Sequence, residues 1–333
     1  MIRDLLKEMS PDACFVAFAR PDQTILHLWQ ADSVQTGVTD GFVMAPFQGE
    51  LLGIARAGAT ITEIDISAIK AEQKPNIKLE PLGEEDFCRL VSAGIDAIKG
   101  GQFAKVVLSR REMHAVDLDI AGSFANLLTE YPNAFRYLWF TPQTGFWMGA
   151  TPEVMVRAKQ DRFETMALAG TQLFGPHIFW AEKERQEQFF VTFFITESLR
   201  ALADDLHVSE PYTATAGRLV HLRTDIKGKL KADASWRDVL NVLHPTPAVC
   251  GYPKFEALDF ITAHEGYDRS FYSGYLGEIS PDATDLYVNL RCMHYSGGTA
   301  SLFVGGGITA SSVPAQEYAE TVNKSLTIKR ILV

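Results

Sequence analysis

The chain has few cysteines, and no two of them are close in sequence. The four, which show no Cys-x-x-Cys spacing, are Cys14, Cys88, Cys250 and Cys292. This excludes a disulfide framework and a cysteine zinc site, and it is typical of a reducing cytosol. The sequence also lacks an apolar run near the roughly 20 residues that a membrane-spanning helix needs. Residues 1–13 are charged and lack the apolar core of a signal peptide, so we expect a cytoplasmic protein with no membrane partner.

Several common catalytic motifs are also missing. The sequence contains no phosphate-binding Gly-x-x-x-x-Gly-Lys-Ser/Thr loop, no Gly-x-Gly-x-x-Gly after a strand, no His-Glu-x-x-His and no Gly-x-Ser-x-Gly. Basic charge is scarce, because 41 acidic residues outnumber 31 lysines and arginines and give a formal net charge of −10. A nucleic-acid partner needs a basic surface, so we expect none. An anionic substrate would need a local cluster of cations or a bound metal ion.

The composition nevertheless provides ample material for a core, since 47% of the 333 residues are hydrophobic and 22% are charged. Many short strand patterns with helices between them predict an α+β fold, in which large antiparallel β-sheets form the core and helices pack outside. No internal repeat, low-complexity tract or long linker is present, so we expect a single domain over residues 1–333. Residues 1–80 are predicted to be a variable scaffold, and residues 85–330 carry the candidate motifs.

The apolar periodicity predicts the following elements. Helices are expected at 84–99, 180–206, 236–243, 254–265 and from Pro314 onward. Strands are expected at 14–19, 24–29, 41–46, 61–66, 103–111, 135–140, 145–149, 154–158, 162–169, within 213–230, and at 271–279, 286–295 and 300–304. The helix at 180–206 is apolar nearly all round, which predicts burial. The polar segment 73–81 predicts a loop, and Gly305 to Gly307 predict a bend before the last helix.

Two acidic pairs lie at helical spacing. Glu317, Glu320 and Lys324 share one face of the last helix, and Glu184 and Glu187 share one face of the long helix. Two helices that each offer a pair of carboxylates could converge on one Mg²⁺, a hard cation that prefers oxygen ligands. The alternative is that both pairs are solvated surface charge, with an ion pair between Glu320 and Lys324.

Two further residues suggest acid–base chemistry. Lys105 lies in an otherwise apolar strand, where burial would lower the pKa of the amine and suit it to act as a general base. The alternative is a lysine that protects an edge strand. Glu153 follows Gly149-Ala-Thr-Pro152 at the start of a strand. It could be a carboxylic acid that stays protonated near a leaving group, or a polar residue at a strand end.

Four sites could contact a polar substrate. His244 lies in a loop with two prolines, and Arg291, in the predicted strand 286–295, could bind a carboxylate through two hydrogen bonds. Gly170-Thr171 and Gly305 to Gly307 offer exposed backbone amides for an anion. The alternatives are a structural histidine and a buried structural ion pair of the arginine.

The order of these motifs resembles that of the chorismate-utilising enzymes, and most of all the isochorismate synthases among them. The resemblance covers about residues 85–330 and rests on seven motifs. They are Lys105-Val-Val-Leu-Ser-Arg110, Gly149-Ala-Thr-Pro-Glu153, Ala167-Leu-Ala-Gly-Thr171, Lys183-Glu-Arg-Gln-Glu187, His244-Pro-Thr-Pro-Ala248, Asp268-Arg269 with Tyr272 and Gly274, and Gly305-Gly-Gly-Ile308 with Glu317-Tyr-Ala-Glu320 and Lys324.

The resemblance implies the fold of the chorismate-utilising enzymes, also found in aminodeoxychorismate synthase, and a Mg²⁺-dependent conversion of chorismate to isochorismate. Water would add at C2 and the C4 hydroxyl would leave. Lys105 would be the general base and Glu153 the general acid. The metal site would comprise Glu184, Glu187, Glu317 and Glu320. Substrate carboxylates would be bound by Tyr272, Arg291, Gly305, Gly306, Gly307 and Lys324, with Gly170, Thr171 and His244 near the ring.

Three alternatives within the family differ in their chemistry. Ammonia-using relatives such as anthranilate synthase lack the strand lysine, so Lys105 favours water as the nucleophile. Aminodeoxychorismate synthases often carry a lysine where this chain has Ala169. Salicylate synthase, which would go on to eliminate pyruvate, usually has proline where this chain has Ala167, and this favours isochorismate as the product. A catalytically silent relative is the alternative from another class.

Two residues of the predicted helix 180–206, which carries Glu184 and Glu187, depart from the family pattern. Gln188 stands where a histidine is usual, and Glu184 stands where an aspartate is expected. Neither removes a proposed catalytic group, and the second keeps the charge. The sequence leaves open whether the product enters menaquinone or siderophore synthesis. It contains no coiled coil, so we expect a monomer.

Overall fold

The computed structural model describes residues 3–4, 6, 12–72, 77–216 and 219–333. Its helices are α1 (Glu84–Lys99), α2 (Ile120–Glu130), α3 (Glu182–Leu199), α4 (Trp236–Leu243), α5 (Lys254–His264) and α6 (Pro314–Lys329). Its strands are β1 (Cys14–Ala19), β2 (Ile25–Ala31), β3 (Gly41–Ala45), β4 (Leu52–Ala55), β5 (Thr60–Asp65), β6 (Lys105–Ala115), β7 (Phe135–Thr141), β8 (Gly145–Thr151), β9 (Val154–Lys159), β10 (Arg162–Leu173), β11 (Ala203–Val208), β12 (Tyr212–Ala216), β13 (Leu219–Leu230), β14 (Gly251–Tyr252), β15 (Tyr275–Ile279), β16 (Ala283–Val288), β17 (Cys292–Ser296) and β18 (Thr299–Ile308).

The strands form two large antiparallel sheets. The first has the order β14-β6-β18-β17-β8-β7-β1-β2-β5, and the second has the order β11-β13-β10-β9-β16-β15-β3-β4, with β12 paired to β13. An aromatic layer from both sheets packs between them, in which the ring centroids of Phe135 and Tyr287 lie 4.3 Å apart and those of Phe18 and Phe42 lie 4.9 Å apart. Stacking and tilted contacts of this kind add to the stabilisation from apolar burial.

The helices cover the outer faces of both sheets. Helix α2 packs on the first sheet beside the end of α6, and α1 and α5 pack against β6. Helices α3 and α4 pack against the second sheet, with Val191, Ile195 and Leu199 of α3 buried. The prediction of an α+β fold with large antiparallel sheets inside and helices outside is therefore confirmed. Among the described residues, no helix is both long enough and apolar enough to cross a bilayer.

The prediction of a long buried helix over residues 180–206 was wrong about where the helix ends and about how much of it is buried. Helix α3 stops at Leu199, and Ala203–Val208 forms an edge strand on β13. The helical period continues through this segment, but pairing with β13 outweighs the local preference. Phe189 is 61% exposed and Phe193 is 40% exposed, so α3 buries one face only.

Other differences come from weak or misleading local signals. Helix α2 and the strands β4 and β14 were missed; residues 120–128 of α2 are all buried, so burial does not follow one face of this helix. The predicted strand 286–295 is two strands, because Arg291 between them adopts a φ of +49°. Only residues 275–279 of the predicted strand 271–279 are extended. The predictions for residues 1–13 and 73–81 fall partly outside the described residues.

The predicted glycine bend is absent, since Gly305, Gly306 and Gly307 continue strand β18 and pair with β6. Gly307 lies opposite Val107 in this register. The bend therefore starts only after Ile308, where Pro314 opens α6 as predicted.

Candidate active site

A cavity lies beside the paired strands β6 and β18 and is bounded by α3, α6 and β13. Most of the predicted site residues line it: Lys105, Glu153, Gly170, Thr171, Glu187, Tyr272, Arg291, Gly305, Gly306, Gly307, Glu320 and Lys324. The structure thus brings together residues that are more than 200 positions apart in sequence.

Lys105 begins strand β6 and is only 2% exposed. Burial lowers the pKa of its amine, because the charged form loses its hydration, and the nearby carboxylate of Glu187 opposes this effect. Lys105 is thus a central strand residue, covered on one side by β14 and near β18, and not a lysine on an open edge. A buried amine with a lowered pKa can accept a proton.

The glycines of β18 leave room for the charged groups. A Cβ atom on Gly307 would lie 2.7 Å from Glu187 Oε1 and 3.0 Å from Lys105 Cε. A Cβ atom on Gly306 would lie 3.6 Å from Glu317 Oε2. Any side chain at position 307 would therefore displace either the lysine or the carboxylate, which explains why the strand carries glycine here.

The four glutamates predicted as metal ligands come from two helices that flank these glycines. Glu184 and Glu187 lie on α3, and Glu317 and Glu320 lie on α6. Burial raises the pKa of Glu187 and of Glu317 above the ordinary value. Burial acts in the same direction on Glu320, but the ammonium of Lys324, 2.6 Å away, outweighs it and lowers that pKa.

Two lysines already contact these carboxylates. Lys183 Nζ lies 2.6 Å from Glu317 Oε1 and 3.8 Å from Glu187 Oε1. Lys324 Nζ lies 2.6 Å from Glu320 Oε1 and donates to the carbonyl oxygen of Gly305 at 2.9 Å. With these lysines in place, no three acidic, histidine or cysteine side chains of the described residues form a ready-made metal cluster.

The donor set nevertheless fits a hard divalent cation. Glu184 Oε2, Glu187 Oε1 and Glu317 Oε2 are buried and have no hydrogen-bond partner. Buried oxygens without a partner are costly, and a bound cation would satisfy them. The four carboxylates outnumber the two ammonium groups of Lys183 and Lys324, so a divalent cation would balance the excess negative charge.

Glu153 follows β8 and is 4% exposed. Burial raises the pKa of its carboxyl group to about 7, although Lys105 and Arg291 oppose the shift. The group is therefore protonated below neutral pH and can donate a proton. Lys105 and Glu153 line the same cavity with their pKa values moved in the directions that a base and an acid need.

Arg291 and Tyr272 are held by a turn built around Asn289. The Asn289 side chain donates to the carbonyl oxygen of Phe271 at 2.9 Å and accepts from the Tyr137 hydroxyl at 2.7 Å. Arg291 adopts its positive φ beside this asparagine, a conformation that persists only where the surroundings enforce it. The backbone of Arg291 is thereby held at the cavity wall, and its guanidinium group could bind an anionic group of a ligand.

His221 was not among the predicted site residues; it lies on β13 in the apolar stretch Leu219-Val-His-Leu222. His221 Nδ1 lies 2.8 Å from the carbonyl oxygen of Gly170, so this nitrogen carries the proton. Burial lowers the pKa of the imidazole to about 3. His221 Nε2 is buried, has no partner and is left as a hydrogen-bond acceptor for a ligand in the cavity. The sequence did contain a signal for His221, since a polar residue inside an apolar strand had already indicated Lys105.

Three predicted residues lie apart from the cavity lining. Glu184 and Glu317 stand behind it, among the carboxylates described above. His244 caps α4, and its Nε2 lies 3.3 Å from the carbonyl oxygen of Phe47. Its ring packs edge-on against Tyr275, and burial lowers its pKa to about 4. The structure thus gives His244 a structural setting and does not support a contact with the ring of a substrate.

Gln188 of α3, which stands where the family usually has histidine, is buried beside the carboxylates. Its side-chain amide donates to the carbonyl oxygen of Ala167 at 3.1 Å and to Thr224 Oγ1 at 2.9 Å. It therefore ties α3 to β10 and β13 and leaves Glu187 facing the cavity.

The sequence model described as "Chorismate binding enzyme" matches residues 53–333. The chain belongs to this family of chorismate-binding enzymes. The match includes all the motifs of residues 85–330 and also part of the segment predicted as variable scaffold.

Individual relatives of this chain carry more specific names. It is 32% identical over 255 residues to the salicylate biosynthesis isochorismate synthase of Pseudomonas aeruginosa, covering 73% of this chain and 53% of the relative. It is 30% identical over 244 residues to isochorismate synthase EntC of Escherichia coli, covering 69% and 62%. The matched part of the chain thus spans about half to two thirds of these relatives.

Solved structures agree with the fold. The structure of DhbC from Bacillus anthracis, named as an isochorismate synthase, superposes with a TM-score of 0.82 at 25% identity and covers 99% of this chain and 98% of that one. Anthranilate synthase component I of Streptococcus pneumoniae shares the fold, with a TM-score of 0.70 at 18% identity. The two-sheet fold is therefore that of the chorismate-utilising enzymes, as predicted.

Proposed function

We propose that this chorismate-binding enzyme is an isochorismate synthase, an isomerase of the hydroxymutase type that adds water at C2 of chorismate and releases the C4 hydroxyl. The observation that carries the proposal is the pair Lys105 and Glu153, a buried amine and a buried carboxyl group with opposite pKa shifts in one cavity. The names of the relatives at 30% and 32% identity support the same reaction.

Each group has a defined task in this scheme. Neutral Lys105 accepts a proton from the attacking water, and protonated Glu153 donates one to the leaving hydroxyl, which is a poor leaving group without it. The reaction balances, since one hydroxyl is added, one leaves as water, and the two protonation states return through solvent. Activity should fall as the pH rises through about 7, because Glu153 then loses the proton it must donate.

Charged groups of the cavity bind the substrate. Arg291 and Lys324 are the cations that would hold its carboxylates, and Tyr272 lines the wall beside them. Mg²⁺, held by Glu184, Glu187, Glu317 and Glu320, would supply the positive charge that lets a dicarboxylate lie beside four glutamates. The buried unpaired oxygens of three of these glutamates support this assignment.

The location and assembly of the enzyme are part of the proposal. We place it in the cytoplasm, since its four cysteines are free thiols, and we expect it to act as a monomer. Its product could enter menaquinone or siderophore synthesis.

The deciding experiment incubates the purified protein with chorismate, with Mg²⁺ or with a chelator, and resolves the products by chromatography while pyruvate is assayed. We expect isochorismate without pyruvate, abolished by the chelator. Salicylate with stoichiometric pyruvate would replace the proposal with salicylate synthase, and absence of turnover would make the chain a silent relative.

A substitution tests the metal assignment. Glu320→Gln removes one charge from the cluster and should shift the Mg²⁺ titration of activity to higher concentrations. Glu197→Gln, on the exposed part of α3, is the matched control and should leave the titration unchanged. An unchanged titration for Glu320→Gln would remove this residue from the metal site.

A further inference from the structure

The ammonium group of Lys183 occupies the space between the two carboxylate-bearing helices. It contacts Glu317 of α6 at 2.6 Å and approaches Glu187 of its own helix at 3.8 Å. Glu187 Oε1 and the second carboxylate oxygen of Glu317, Oε2, are buried without a hydrogen-bond partner. One ammonium group therefore neutralises part of a cluster that keeps buried oxygens without a hydrogen-bond partner.

The position of Lys183 on its helix is unfavourable in itself. It is the second residue of α3, and the positive end of the helix dipole repels a cation in the first turn. Its neighbours Glu182 and Glu184 suit this position, whereas the lysine does not. What holds the ammonium group here is the carboxylates, so it should leave if they acquire another cation.

A route for that movement exists. The side chain of Lys183 keeps 21% of its surface exposed, while those of Glu187 and Glu317 are 8% and 2% exposed. The lysine can turn into solvent around the first turn of α3, but the carboxylates cannot. A Mg²⁺ ion at the buried oxygens would repel an ammonium group on the same carboxylates, since like charges about 4 Å apart repel strongly in a poorly hydrated site.

We propose that Lys183 is a built-in counter-ion that bridges α3 and α6 in the metal-free protein and is displaced when Mg²⁺ binds. This inference rests on the Mg²⁺ site of the proposed function and adds a competition between a lysine and the metal. The competition keeps the metal-free cluster stable and lowers the affinity for Mg²⁺. Lys183 is accordingly a positioning residue and has no direct part in the chemistry.

The test measures Mg²⁺ binding by titration calorimetry and thermal unfolding in chelator and in Mg²⁺. Lys183→Met removes the competing charge and should tighten Mg²⁺ binding at least about tenfold, which corresponds to about 1.4 kcal/mol. It should also lower the Tm in chelator, because the buried carboxylates lose their counter-ion, and enlarge the Tm increase caused by Mg²⁺.

Two controls separate this effect from a general loss of a lysine. Lys183→Arg keeps the charge and should keep the affinity near that of the wild type. Lys231→Met removes a lysine that donates to the carbonyl oxygen of Ala201, outside the cavity lining, and should change neither affinity nor the Mg²⁺-dependent Tm shift. Equal or weaker Mg²⁺ binding by Lys183→Met would overturn the proposal, as would absence of Mg²⁺ binding by the wild type.

Calorimetry needs no turnover, so the outcome is independent of the reaction. A chain that binds Mg²⁺ as expected but makes no isochorismate would refute the proposed function and leave the counter-ion role standing. If the protein makes isochorismate but Lys183→Met binds Mg²⁺ no more tightly than the wild type, the proposed function stands and the counter-ion role is refuted.

Discussion

Replacing Glu153 by glutamine should make the folded protein more stable at high pH while it removes the general acid. Burial raises the pKa of this carboxyl group from 4.5 to about 7. Between these values the folded chain holds a proton that the unfolded chain has lost, so the contribution of Glu153 to stability falls as the pH rises. At about 1.36 kcal/mol per pKa unit, the full loss is about 3 kcal/mol and is complete above about pH 7.

Glutamine has nearly the same shape and stays neutral at every pH. The stability gain of Glu153→Gln over the wild type should therefore be small near pH 4, intermediate at pH 6 and about 3 kcal/mol at pH 8. Urea unfolding of both proteins across this range measures the difference, in which the titration of all groups far from position 153 cancels. The kcat should fall at least about 100-fold, as expected for loss of general acid catalysis.

Glu197→Gln is the matched control, because this carboxylate is exposed and pairs with Arg200 at 3.1 Å. Its unfolding free energy should follow that of the wild type at every pH. The reasoning would be refuted if Glu153→Gln and the wild type differed by the same amount at pH 5 and pH 8, since the carboxyl group would then titrate alike in the folded and unfolded chains.

Three further substitutions test other parts of the site. Lys105→Ala should lose about 100-fold or more in kcat with the fold intact; wild-type turnover would exclude it as the base. Gly307→Ala should lower both kcat and the affinity for Mg²⁺, because its Cβ would lie 2.7 Å from Glu187 Oε1. Gly306→Ala should lower both quantities less, because the nearest side-chain atom would lie 3.6 Å from its Cβ. Arg269→Met should cost about 3–5 kcal/mol in urea unfolding, since it leaves the buried carboxylate of Glu265 unpaired; an unchanged midpoint would contradict this.

The sequence identified those site residues whose chemistry conflicts with their local pattern. Lys105 stands out because an ammonium group interrupts an apolar strand, and the structure buries it as that conflict suggested. The carboxylates of α3 and α6 were recognised from their helical spacing, although only the family motifs argued against a solvated surface. His221 also interrupts an apolar strand, but a neutral histidine is common in cores and gives a weaker signal.

Other features depended on contacts between distant segments, which a local pattern does not contain. Gly305 to Gly307 read as a bend, because glycine is rare in strands, yet pairing with β6 keeps them extended. Residues 203–208 continue a helical period but gain more by pairing with β13. The surroundings of His244 and Gln188 likewise depend on distant segments. His244 contacts the carbonyl oxygen of Phe47, and Gln188 ties α3 to two strands of the second sheet.

A single physical cause prepares both proposed catalytic groups. Desolvation disfavours any charged form, so it lowers the pKa of the Lys105 amine and raises that of the Glu153 carboxyl group. Both groups move toward their neutral forms, and these are the forms in which an amine accepts a proton and a carboxylic acid donates one. Their mutual attraction as ions would act in the opposite direction on both. The exclusion of water from this cavity must therefore outweigh their attraction, and the glycines of β18 help by letting the strand, the lysine and the carboxylates close around the site.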